Sequence, residues 1–97
     1  MTYRLHPAAA TEHLDSVAFY ESRATGLGVD YLTEFETVMR RVTETPLLSA
    51  IEVPPEIRIA YMQRFPFNIL FRVDKNEILV LAIAHQSRRP RYWLGRE

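Results

Sequence analysis

Ninety-seven residues, 47% apolar and 25% charged, suffice for one globular domain spanning residues 1–97 with a single modest core. The chain holds no cysteine, which excludes disulfides, thiolate catalysis and cysteine-ligated zinc, and suits a reducing cytoplasm. The formal charge of zero conceals an asymmetry: residues 1–57 carry four arginines against nine acids, whereas residues 58–97 carry eight basic residues against three acids.

Eleven of the twelve basic residues are arginine, whose planar fork matches phosphates and carboxylates and stacks on rings. A GC-rich genome accounts for a preference for arginine over lysine, but not for its concentration in the second half. The longest apolar run, Ile78 to Ala84, is too short to span a bilayer, and the N-terminus lacks the apolar core of an export signal. The expectation is a cytoplasmic protein with no membrane contact.

In chain order, Thr2 to Leu5 is short and β-compatible. Pro7 then sits where helices accept proline, and Ala10, Leu14, Val17 and Ala18 form one stripe of a helix that Gly26 should stop. Tyr31, Leu32, Phe35, Val38, Met39 and Val42 define a second helix, with Asp30 as a candidate cap and Pro46 as its end. So short a connection makes the two an antiparallel hairpin.

Beyond a loop around Pro54 and Pro55 the period becomes two: Ile57, Ile59 and Tyr61, then Phe67, Ile69, Phe71 and Val73, then the doubly apolar run Ile78 to Ala84. Tight turns at Arg64-Phe65-Pro66 and at Asp74 to Glu77 join these strands into a meander. The fold class is therefore α+β, in the order β-α-α-β-β-β, with the helical hairpin on one face of a twisted antiparallel sheet. The Phe67/Ile69/Phe71/Val73 side should take the helices, which leaves Asn68 and Arg72 on the open side. Arg58 joins them if its own strand buries the Ile57/Ile59/Tyr61 side.

The chemistry-bearing residues gather at the end. His85 closes the last strand and titrates near neutrality, so it is a candidate acid or base; the alternative is a strand-end histidine bonded to its neighbours. Arg88, Arg89, Arg91 and Arg96, interleaved with Tyr92 and Trp93, have the composition of a phosphate-contacting or base-stacking surface. Trp93 has a second reading, folded back to close the core under the sheet. Three separated histidines give no metal-ligand spacing, three glycines give no phosphate loop, and no serine lies in a nucleophile elbow. No cofactor and no metal are expected. The helical acids Glu12, Asp15, Glu21, Glu34 and Glu36 read as a solvated face.

HPAA at the first helix, GLG between the helices, RFPFNILFRV across the third strand and AIAHQSRRPRYW at the end together resemble the RelE/ParE superfamily of toxins from type II toxin–antitoxin modules. The resemblance runs over nearly the whole chain and implies a cognate antitoxin that wraps the toxin in a hetero-oligomer. It implies one of two targets. RelE-like members cut ribosome-bound mRNA without metal, which would make His85, Arg88, Arg89 and Tyr92 the reactive cluster, with Arg58 and Arg72 as phosphate contacts. ParE-like members inhibit DNA gyrase and are not nucleases. Where RNA-cutting relatives carry an arginine in the third strand, this chain has Asn68, and Leu47 to Glu56 holds no basic residue. The ParE-like reading is therefore favoured, with Arg58, Arg64, Arg72, Arg91 and Trp93 as contacts to target or antitoxin. A third reading is a decayed toxin that only binds its antitoxin.

Overall fold

The computed structural model describes residues 1–97. Strand β1 (Thr2–Leu5) leads into helix α1 (Pro7–Arg23), helix α2 (Leu27–Glu44) and a 3-10 turn (Pro46–Leu48). Strands β2 (Ala50–Val53), β3 (Ile57–Tyr61), β4 (Phe67–Asp74) and β5 (Glu77–His85) follow.

Helix α1 starts where its first free amides find a partner: the His6 ring accepts the Ala8 N–H at 3.0 Å, and Pro7 occupies a position that needs no donor. Gly26, at φ +89°, makes the left-handed turn between the helices, and the Glu21 carboxylate accepts the amides of Gly26 and Gly28. Gly26, not Asp30, is the N-cap of α2. Asp30 lies in the first turn, where a carboxylate favours the helix dipole.

The sheet has five strands in the order β1-β5-β4-β3-β2. The expected helical hairpin on a sheet is present, with one correction and one addition. The sheet is mixed and not wholly antiparallel: the chain leaves β1, re-enters at the far edge and runs an antiparallel meander whose last strand, β5, comes back alongside β1 in the same direction. Strand β2 adds an edge strand where the sequence reads as loop. Alternation on β4 is as expected: Phe67, Ile69 and Phe71 meet Tyr31, Phe35, Met39 and Val42 in the main core. The stripe on α1 is rotated from the expected one. Leu14 is exposed, and the buried side runs through Ala9 and Ser16, whose hydroxyl donates to the Glu12 carbonyl at 2.8 Å. A satisfied hydroxyl can be buried at little cost, so polarity alone misplaces this face.

The other face of the sheet is also covered. Ile59, Leu70, Ala82 and Ala84 form a second, smaller cluster closed by Trp93, which is 4% exposed. The last twelve residues therefore lie across the side opposite the helices.

Candidate functional site

Besides the packing of Trp93, one carboxylate from α1 gathers most of the polar contacts that hold this C-terminal segment. Strand β1 ends opposite Val80, so the edge of β5 from Leu81 onward has no strand beside it. Buried backbone groups need partners, and side chains supply them here: Glu12 Oε1 accepts the Ile83 N–H at 3.0 Å, and Arg96 Nη1 donates to the Leu81 carbonyl at 3.0 Å. Arg96 also forks onto Glu12, at 3.0 and 3.1 Å. The Tyr92 hydroxyl donates to Glu12 Oε2 at 2.6 Å. Arg88 stacks 3.7 Å above the Tyr92 ring and lies 3.7 Å from the same carboxylate.

These contacts set the chemistry of Tyr92. Burial, then the hydrogen bond to Glu12 and the charge of Glu12, push its phenol far above the ordinary value of 10, against the opposing pull of Arg88 and Arg96. The phenol is a fixed donor and not a base at neutral pH. His85 is likewise engaged. Its Nδ1 lies 3.0 Å from the Ser87 amide and 2.7 Å from the Ser87 hydroxyl, and its ring meets Phe67 edge-on. Accepting the amide places the neutral ring's proton on Nε2. Asn68 Oδ1 accepts from Gln86 Nε2 at 3.3 Å.

Between the tail and the ends of β4 and β5 lies a pocket of about 150 Å³, lined by Asn68, His85, Arg88, Arg89, Arg91 and Trp93 among others. That space is smaller than the roughly 300–1,000 Å³ of small-molecule sites, and fits one phosphate, one carboxylate or one side chain. Arg89 and Arg91 are exposed and form no ion pair. Arg91 holds a left-handed backbone, φ +60°, which turns Tyr92 and Trp93 inward while its own guanidinium reaches the Glu52 carbonyl at 3.4 Å.

The structure therefore brings together His85, Arg88, Arg89, Arg91, Tyr92 and Trp93, and leaves three expected partners elsewhere. Arg58 faces the helix side: it pairs with Phe71 across the sheet and donates to the carbonyls of Leu47 and Ser49. The condition for grouping it with Arg72 is not met, because β3 buries Ala60 under the helices and Ile59 under the tail. Arg64 lies at the β3–β4 turn, 3.1 Å from Asp30, while Glu34 accepts the amides of Gln63, Arg64 and Phe65. Arg72 is on the tail side of β4, beyond the residues that line the pocket.

Glu12 is the residue that sequence reasoning missed, and Glu21 and Glu34 likewise bind backbone amides and are not merely solvated. Glu12 lies between Ala9 and Ser16 on the buried side of α1, where a carboxylate demands cationic partners, but only the structure reveals that this side is the buried one. The three histidines are far apart in role: His6 caps α1, His13 packs on Phe35 between the helices, and His85 ends β5. No group of three or more acidic or histidine side chains is placed to hold a metal ion.

A helical hairpin lies on one face of this sheet and a C-terminal strap crosses the other, an α+β fold. Among solved structures it is similar to a chain of the chromosomal ParDE TA system from P. aeruginosa, with a TM-score of 0.68 over 88% of this chain and 95% of that one. At 23% sequence identity the likeness is one of fold. No family model and no curated protein matches the chain.

Proposed function

We propose that this chain is the toxin of a type II toxin–antitoxin module, held inactive by a cognate antitoxin in a bacterial cytoplasm, and that it inhibits DNA gyrase in the ParE manner. The fold it shares with a chain of a ParDE system supports the module. The observation that carries the choice of target is the commitment of the Tyr92 hydroxyl to Glu12. With that phenol a fixed donor, Asn68 uncharged, and His85 Nδ1 bonded to Ser87, the pocket lacks a tyrosine base and a phosphate-holding cation at position 68 of β4. Such a surface suits binding better than bond cleavage. Arg89 and Arg91, unpaired at the pocket mouth, are the cations that a target or antitoxin carboxylate meets first.

The second reading, ribosome-dependent mRNA cleavage, has one observation in its favour: His85, Arg88 and Arg89 line the same pocket. Purified protein added to gyrase and supercoiled DNA, and separately to translating ribosomes, distinguishes the two. Trapped gyrase–DNA cleavage complexes with intact message support the proposal. Message cleavage that His85→Ala abolishes supports the alternative. The antitoxin's affinity should fall with salt without vanishing, since apolar contact is poorly screened. If expression without antitoxin leaves growth unaffected, the decayed-toxin reading holds.

A further inference from the structure

The turn that opens the C-terminal segment carries one hydroxyl that does not line the tail pocket, that of Ser87. Of the four serines in the chain, Ser16 and Ser22 donate to helix carbonyls. Ser87 alone meets a base: its Oγ lies 2.7 Å from His85 Nδ1. The Ser87 N–H lies 3.0 Å from the same nitrogen and can only donate. Nδ1 is therefore the acceptor of both groups, and the hydroxyl proton points at a basic lone pair. Both residues are held in place. The Arg88 amide donates to the His85 carbonyl at 3.0 Å, and the Gln86 amide to the Pro66 carbonyl at 2.9 Å, which closes the turn and anchors it. Phe67 meets the imidazole edge-on, at 86° and 5.2 Å between ring centres. Ser87 is exposed, two positions before the exposed Arg89.

We propose that Ser87 is a site of covalent modification, a nucleophile with His85 as its general base, and that it accepts a phosphoryl group from an activated donor of the phosphoric anhydride class. A serine hydroxyl is a weak nucleophile until a base within about 2.6–3.2 Å takes its proton, and the base works best when a third group orients it. In the step, Ser87 Oγ bonds to phosphorus while the bond from phosphorus to the donor's bridging oxygen breaks, and that electron pair leaves with the donor. The hydroxyl proton moves to His85 Nδ1 and from there to the departing oxygen. The arginines that follow favour phosphorus over a neutral ester, because a guanidinium fork matches phosphoryl oxygens. The attached phosphate brings a charge of about −1.5 to −2 to the turn that carries Arg89 and Arg91. The consequence rests on the toxin reading, under which this charge offsets the cations that meet the target; the reactivity of Ser87 does not.

The test treats the full chain with an alkyl fluorophosphonate, a phosphorus electrophile whose leaving group is fluoride, and maps the label by peptide mass. The expected result is a single label, on Ser87. The same chain unfolded in urea should label Ser87 about tenfold more slowly or less, since the base is then no longer in place; this comparison needs no variant. His85→Asn keeps a hydrogen-bond acceptor near the position of Nδ1 but cannot take a proton. It should slow labelling about a hundredfold, the lower end of general-base effects, while the chain still unfolds cooperatively. No label, label spread over Ser22, Ser49 and the tyrosines, equal rates in folded and unfolded chain, or an undiminished rate in His85→Asn overturns the site. Acetylation of Ser87 by p-nitrophenyl acetate without labelling by the fluorophosphonate overturns the phosphoryl assignment. Toxicity plays no part in the readout. A chain that labels at Ser87 and leaves gyrase untouched keeps the site and loses the toxin reading; one that inhibits gyrase and does not label loses the site alone.

Discussion

The hydroxyl of Tyr92 donates a 2.6 Å hydrogen bond to the carboxylate of Glu12, eighty positions earlier in the chain. That bond, with the Arg96 fork beside it, ties the C-terminal segment to α1 around the free edge of β5. Glu12→Ala would leave the Arg96 guanidinium, the Ile83 amide and the Tyr92 hydroxyl without their acceptor. The expected loss of stability is about 3 kcal/mol, read by denaturant unfolding. Trypsin should cut after Arg88 and Arg91 before the core unfolds. Glu12→Gln keeps an acceptor and should lose less.

Two tyrosines make the protein sensitive to alkali. Burial raises the Tyr31 phenol to about 12, and burial with Glu12 raises Tyr92 further. Both folded values lie above the unfolded value near 10, so their contribution is whole below pH 10 and is lost as pH climbs through the folded values. Stability should fall there by up to about 1.4 kcal/mol per pH unit for the buried Tyr31, and by less for the half-buried Tyr92, whose charge solvent screens. Tyr92→Phe, which costs about 1 kcal/mol at neutral pH, should flatten the slope in a series of unfolding curves.

His13 acts at the acid end. Its ring lies 4.3 Å from that of Phe35 and 3.2 Å from the Tyr31 hydroxyl, and burial lowers its pKa below 6.5 despite the charge of Glu36. A folded value below the unfolded one gives stability that is complete above pH 6.5 and declines as pH falls toward the folded value. Unfolding midpoints between pH 7 and 5 should decline in the native chain and decline less in His13→Leu.

Gly28 is fixed by close approach of the helices, not by its backbone angles. A Cβ there would lie 3.0 Å from the Val17 carbonyl oxygen and 3.0 Å from Glu21 Oε1. Gly28→Ala should therefore destabilise by about 1–3 kcal/mol, although alanine is the better helix former by about 1 kcal/mol. Thermal unfolding decides the sign.

The parts of the fold legible in the sequence were those with one dry face and one wet face. The α2 stripe from Tyr31 to Val42 and the Phe67/Ile69/Phe71 side of β4 were of this kind. Strand β3 was not, because helices cover Ala60 while the tail covers Ile59, and two buried faces leave no alternation to phase Arg58. Strand β2 was hidden for a related reason: Ala50–Val53 is four residues at an edge, irregular in register between Ile51 and Val53, and followed by two prolines. The concentration of arginine and rings at the site was visible, but its organisation was not. Which arginines are neutralised depends on Glu12, and an acid on the buried side of α1 carries no mark of a partner eighty residues away. That partnership divides the tail into internally paired Arg88 and Arg96 and outward-facing Arg89 and Arg91.

This division is tested most directly by gyrase supercoiling in the presence of the purified chain and of its Arg89→Glu/Arg91→Glu variant. Both residues are solvated and outside the core, so the variant should unfold at the native midpoint. The native chain should accumulate cleaved gyrase–DNA complexes, and the double variant should lose at least tenfold in potency. Equal potency of the two proteins, or cleavage of ribosome-bound message with no effect on gyrase, would contradict the account.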